Sequence, residues 1–263
     1  GLFESIPHPG NPSIHISVPR FYASVTVNTG DSPSANKHFR EFSFGKLLTP
    51  DLTSIVSQSI SANEELDRIG AVIDAVVQHF GDAFISVDTY HSEVAKEVVK
   101  LGAHIINDIS GGSFDTKILE VVSKYNAGYI AMHITGNTQT MHQIEERTDV
   151  IAAIIDYMEM KKELLATFGI TNWVMDPGFG FGKTIQENFD IVKRLQELKV
   201  INLPILLGVS RKSSIYKALG IGPEDALNGT TVLHTLGLIN GASILRVHDV
   251  KEAKEAILLV NQM

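Results

Sequence analysis

From residue 64 onward the apolar positions switch between two spacings. Leu66, Ile69, Val72, Ile73, Val76 and Val77 recur three and four apart, the period of an amphipathic helix. A short continuous apolar run, 84–87, follows and ends in Asp88-Thr89, as a buried strand would. The same alternation continues to the end of the chain. Further helices are predicted over 94–101, 117–125, 149–167, 185–198, 214–219, 223–239 and 253–262. Further strands are predicted over 104–106, 129–132, 173–175, 205–209 and 243–247. Upstream the pattern weakens. Residues 21–27 alternate and are rich in β-formers, which predicts a strand, while 52–60 reads as a strand or a short helix. Residues 1–20, rich in Pro, Ser, Gly and His, read as an edge hairpin or a loose lead-in.

Strand–helix alternation with short connections gives a parallel sheet joined by right-handed crossovers. Seven strands are counted, with a doubtful eighth between residues 40 and 60. Eight such units over about 250 residues is the size of a (β/α)8 TIM barrel. An open doubly wound sheet is the alternative. Polar residues decide between them. From the third strand onward nearly every strand ends in a polar cluster, and in a barrel all those ends share one face. An open sheet would concentrate its site at one switch point. The expectation is one barrel domain over residues 1–263.

Composition narrows the function. A hydrophobic fraction of 44% and a charged fraction of 20% are ordinary for a soluble globule. The net charge of −8 argues against a nucleic-acid surface but leaves room for a local basic pocket. With no cysteine there is no disulfide frame and no thiolate metal site. No run of about 18 apolar residues occurs, so no membrane span is expected. The N-terminus lacks a basic region followed by an apolar core, so a cytoplasmic location is expected.

The strand ends supply Asp88, Asn107, Asp108, His133, Asp176, Ser210, Arg211, Lys212, Arg246 and His248. Asp88, Asn107 and Asp176 suit the NH and C=O edges of a planar heterocycle. Lys212, Arg246 and His248, with Ser210 and Arg211, suit an anion such as a phosphate. Taken singly each has a plain alternative. Asp88, Ser210 and His248-Asp249 could cap helices, Asn107-Asp108 could form a turn, and His133 could be a buried, hydrogen-bonded side chain. Their joint placement at successive strand ends favours a site. The loop Asp176-Pro177-Gly178-Phe179-Gly180-Phe181-Gly182-Lys183 is too rich in glycine to be built for packing alone. The phosphate-loop, zinc-protease and nucleophile-elbow signatures are all missing.

Six stretches carry a resemblance: 86–89 (Ser-Val-Asp-Thr), 106–112 (Ile-Asn-Asp-Ile-Ser-Gly-Gly), Met132-His133, the 176–183 loop, Ser210-Arg211-Lys212 and Arg246-Val247-His248-Asp249. In this order they resemble the dihydropteroate synthase family. The likeness runs from about residue 64 to the end. It implies a (β/α)8 barrel, usually dimeric, that joins 6-hydroxymethyl-7,8-dihydropterin pyrophosphate to p-aminobenzoate in folate synthesis. Sulfonamides compete for the second substrate of that family. Carried over, Asp88, Asn107, Asp176 and Lys212 would hold the pterin, with Asp88, Asp176 and Lys212 closest to the chemistry. Arg246 and His248 would bind pyrophosphate, and Phe181, Ser210 and Arg211 would form the p-aminobenzoate site. Asn28 would ligate Mg2+.

Residues 1–63 match the family poorly. Where the family carries Asn-Val-Thr-Pro-Asp-Ser-Phe-Ser-Asp-Gly-Gly, this chain reads Val27-Asn28-Thr29-Gly30-Asp31-Ser32-Pro33-Ser34. Two other activities therefore stand beside the synthase: a non-catalytic pterin binder, and a methyltetrahydrofolate methyltransferase on the same barrel. The second has no pyrophosphate to hold, which leaves Arg246 and His248 without a purpose.

Overall fold

The structure is a computed structural model that describes residues 22–24, 26–27, 61–79, 84–136, 140, 143–144 and 147–263. All strand pairs are parallel. In chain order the strands are β1 (Tyr22–Ser24), β2 (Thr26–Val27), β3 (Ser86–Asp88), β4 (Ile105–Asp108), β5 (Gly128–Met132), β6 (Trp173–Asp176), β7 (Leu206–Leu207) and β8 (Ile244–Arg246). The helices are α1 (Ala62–His79), α2 (Ser92–Leu101), α3 (Lys117–Tyr125), α4 (Val150–Thr167), α5 (Ile185–Lys193), α6 (Ser213–Leu219), α7 (Leu227–Ile239) and α8 (Val250–Val260).

The strands run β2-β3-β4-β5-β6 in one sheet and β1-β8-β7 in another. A bridge between Met175 and Ile205 joins β6 to β7. β1 and β2 belong to one segment whose first half pairs with β8 and whose second half pairs with β3, which completes the ring of the barrel. Among the described residues the ring has seven staves. The strand or short helix expected at 52–60, and Asn28, lie outside the described residues.

Two apolar layers hold the barrel. Inside it Ile130, Val174, Leu206 and Ile244 pack together, with Ile105 against them. Between strands and helices lies a larger core that includes Val87, Ile106, Tyr129, Met175, Leu207 and Leu245. The two sets alternate residue by residue along each strand, because successive strand side chains point to opposite faces. This alternation fixes what stands at the mouth. Two residues beyond Ile105 is Asn107, two beyond Val174 is Asp176, and two beyond Ile244 is Arg246. Asp88 follows Ser86 by the same step. Asp108 has the opposite parity and faces the helices.

Local signals set the helix ends. Asp149 opens α4 by accepting the amides of Ile151 and Ala152. Thr184 and Glu187 form a capping box that opens α5. Two predicted helices come out broken. The 185–198 helix stops at Arg194, whose guanidinium is drawn to Asp149 at 3.0 Å and Glu197 at 2.8 Å; the chain continues as a 3-10 turn, Leu195–Ile201. The 223–239 helix starts as a separate 3-10 turn, Pro223–Asp225, because Arg211 draws the carbonyls of Pro223 and Glu224 out of the helical ladder. The strand expected over 205–209 narrows to Leu206–Leu207. Among the described residues no helix is long and apolar enough to cross a membrane.

Candidate functional site

The strand parity delivers the acceptor group as one cluster. Asp88 and Asn107 are register partners on adjacent strands. The Asn107 amide donates to Asp88 Oδ1 at 2.6 Å. Its own Oδ1 is buried without a partner, a state that costs free energy until a donor fills it. Burial pushes the Asp88 carboxyl above its ordinary range, and Arg246, 3.4 Å from Oδ2, pulls it back. Asp176 is buried at the end of β6, where its Oδ1 accepts the Gly178 amide at 2.7 Å. The result is a set of inward-facing acceptors with one orphaned carbonyl oxygen among them.

The cationic group sits on the β7 and β8 side. Ser210 does not cap α6, whose N-cap is Lys212. Its Oγ instead accepts the His248 amide at 3.2 Å and lies 3.1 Å from His248 Nδ1. Ser210 therefore holds the imidazole in place beside Arg246. Burial lowers the His248 pKa, and Arg246 lowers it further. Lys212 Nζ donates to the Phe179 carbonyl and stands over two rings, 5.7 Å from that of Phe179 and 4.8 Å from that of Phe181. Burial brings Lys212 down to about 7, with Asp176 opposing the shift. An amine so placed is poised between charged donor and neutral acceptor near neutral pH.

The glycine loop after β6 lies between the two groups. Gly178, Gly180 and Gly182 all have positive φ, at 69°, 85° and 56°. A Cβ on Gly178 would lie 2.1 Å from the His133 carbonyl, and one on Gly180 would lie 2.8 Å from Lys212 Cδ. The glycines thus let the loop press against both neighbouring strand ends.

One expectation changes, and two residues take the plain alternative already open to them. Arg211 does not point its fork at an open compartment. Its Nε and one terminal nitrogen bind Asp249 at 2.9 Å each, and the other terminal nitrogen binds the Pro223 and Glu224 carbonyls. Asp108 is a structural acceptor: it takes the Ser110 and Gly112 amides, the Ser110 hydroxyl and the Tyr129 hydroxyl, all within 2.8 Å. His133 is buried, edge-on to Tyr157 at 5.0 Å, and pushed down to about 2 by burial with Lys183 and Arg147 nearby.

Two residues at the site were not singled out from the sequence. Lys183 is buried and donates to the Gly178 and Phe181 carbonyls at 2.9 and 3.1 Å; burial brings it to about 7. Its signal was its place at the end of the glycine loop. Arg147 sits in a polar stretch with no periodicity to mark it, yet it is nearly buried and binds the Gly182 carbonyl.

Comparison with known proteins places the chain in a family. The profile of the family described as "Pterin binding enzyme" matches residues 50–248. The dihydropteroate synthase of Escherichia coli strain K12 is 40% identical over 203 residues, which is 76% of this chain and 71% of that protein. A crystal structure of dihydropteroate synthase from Clostridium difficile, determined in the presence of pteroic acid, superposes with a TM-score of 0.75 at 35% identity, covering 81% of this chain and 79% of that one. The Yersinia pestis dihydropteroate synthase in a sulfonamide drug complex gives a TM-score of 0.74 at 35% identity, covering 77% and 74%.

Proposed function

The chain belongs to the pterin-binding enzyme family, among the dihydropteroate synthases, and from that premise we propose that it condenses 6-hydroxymethyl-7,8-dihydropterin pyrophosphate with p-aminobenzoate to give 7,8-dihydropteroate and pyrophosphate in folate biosynthesis. The observation that carries the reading is the pairing of Asp88 with Asn107 on neighbouring strands, which leaves the Asn107 oxygen buried and partnerless. A pterin edge has the NH donors that such an oxygen needs.

In this reading Asp88, Asn107, Asp176 and Lys212 bind the pterin. Arg246 and His248 bind the pyrophosphate. Phe181 covers the ring of p-aminobenzoate, and Ser210 and Arg211 border the same compartment; Arg211 acts by tying its own strand end to Asp249, next to His248. The C–O bond to pyrophosphate breaks and its electron pair leaves with the pyrophosphate, whose growing charge Arg246 and His248 take up. Asp88 and Asp176 face the cationic pterin that remains. The p-aminobenzoate amine then forms the C–N bond and loses a proton to water. No enzyme nucleophile is required.

Magnesium, with Asn28 as its protein ligand, belongs to the same proposal through the family resemblance, and bound there it would neutralise pyrophosphate oxygens. Asn28 lies outside the described residues, and the steps above are those that the described side chains carry. We also read residues 1–263 as one cytoplasmic domain, and as a homodimer, which the family resemblance implies.

The test is a two-substrate assay on the purified chain, run with and without magnesium. Release of pyrophosphate together with dihydropteroate is the expected result. Tight pterin binding without turnover would move the chain to the non-catalytic reading instead. Methyl transfer from methyltetrahydrofolate is not expected, since Arg246 and His248 serve a pyrophosphate.

A further inference from the structure

The glycine loop carries little regular hydrogen bonding of its own. Its carbonyls go largely to cations instead. Lys183 takes those of Gly178 and Phe181, Lys212 takes that of Phe179, and Arg147 takes that of Gly182 at 2.9 Å. Lys183 belongs to the loop, and Lys212 belongs to the proposed substrate site. Arg147 reaches in from outside, just ahead of α4. Its second terminal nitrogen donates to Thr135 Oγ1 at 3.0 Å, on the exit of β5. Its first also lies 3.4 Å from Glu187, the acidic half of the α5 capping box. The side chain is 7% exposed, so these bonds form largely out of water.

We infer that Arg147 is a positioning residue for the aromatic-amine compartment: its fork, spanning Thr135 on one loop and Gly182 on the next, fixes the loop that carries Phe181. The geometry favours an effect on the second substrate over the pterin. Asp88 and Asn107 are held by strand pairing and by each other on β3 and β4; Asp176 and Lys212 touch the loop near its start, at Gly178 and Phe179, whereas Arg147 holds its end at Gly182. Phe181, one residue from Gly182, depends on the loop. A planar fork donating to two separate oxygens is a task a single ammonium does poorly, so lysine is not an equivalent replacement. The inference rests on the synthase reading only for the identity of the two substrates.

The test uses Arg147→Met, Arg147→Lys and Thr135→Val in the full chain, with three readouts. Hydrogen exchange at the amides of 178–182 is expected to speed up in Arg147→Met, without a change at 105–108. The KM for p-aminobenzoate is expected to rise about tenfold or more, with the KM for pterin pyrophosphate within about twofold. Arg147→Lys should recover only part of that loss. Thr135→Val, which removes one partner and leaves the cation, should shift the same KM in the same direction by less; it decides the matter if Arg147→Met does not fold. Unchanged loop exchange, or a parallel rise in both KM values, overturns the inference. A wild-type chain without turnover would defeat the synthase reading instead. Exchange, with calorimetry of p-aminobenzoate in the presence of pterin pyrophosphate, would then still decide the role of Arg147.

Discussion

In the proposed reading, single residues at the mouth divide into those that would touch substrate and those that hold them. Asp176 is the sharpest case of the first, because it is buried at the inward-facing end of β6 and the Gly178 amide occupies only one of its oxygens. Asp176→Asn is expected to weaken pterin binding by roughly 1.5–3 kcal/mol, the size of a lost charge-assisted hydrogen bond. Titration calorimetry on the folded variant measures it, and an unchanged affinity would remove Asp176 from the pterin site. Lys183 is the sharpest case of the second. Burial lowers its pKa to about 7 from an ordinary value of 10.5. Between those limits the unfolded chain binds this proton and the folded chain does not, so stability from this group rises with pH across that window. Below about 7 the full burden of the buried charge remains. Lys183→Met should therefore flatten the climb in stability between pH 7 and 10, by at most about 1.4 kcal/mol per pH unit. Urea melts at several pH values read the slope directly; equal slopes in the two proteins would contradict a titration of Lys183 in this range. The sequence made Asp88, Asn107, Asp176 and Lys212 visible because chemistry-bearing residues stood where strands ended. It hid Arg147, whose partners lie 12, 35 and 40 residues away along the chain.

At the scale of elements, parity along the strands separates function from support. Asn107 and Asp108 are neighbours with equal chemical credentials, and position alone divides them. Asn107 stands two residues above Ile105, which packs against the interior cluster, while Asp108 turns outward to Tyr129 and the Ser110–Gly112 loop. The alternation was present in the sequence, but the short strands carry apolar residues on both faces, which masks the period-2 signal. Helix placement was legible from apolar spacing, while the ends of two helices were not. Arg194 and Arg211 break them through ion pairs and carbonyl contacts to distant residues. The interior cluster should be the structural floor of the site. Ile130→Ala removes one of its four buried members and is expected to cost about 2–5 kcal/mol, the usual range for such a deletion. Urea denaturation measures the loss. A cost under about 1 kcal/mol would mean that the interior cluster collapses around the gap and carries little of the barrel's stability.

At the scale of the whole molecule, α7 poses the remaining question of what covers it. Its inner side presses so close to β7 that a Cβ on Gly237 would lie 2.3 Å from Leu207 Cδ2, and Leu233 and Leu238 are buried there. Its outer side is also apolar. Val232, Leu236 and Ile239, spaced four and three apart, are 49%, 44% and 52% exposed. Leu236 also borders a groove of about 340 Å3 against α5, lined by Phe189, Val192 and Asn240. A helix with apolar stripes on two sides needs cover on both, and an exposed apolar stripe marks an association surface. The family resemblance implies a second copy as that cover. Two copies meeting through α7 about a twofold axis would set each stripe against its twin, which is how a self-complementary interface is built. Leu236→Glu would place like charges face to face, and a chain that dimerises through α7 should then run as a monomer in sedimentation velocity. Pterin affinity should stay unchanged, because α7 lies outside the barrel and the pterin groups lie at its mouth. A variant that remains dimeric would move the contact off α7.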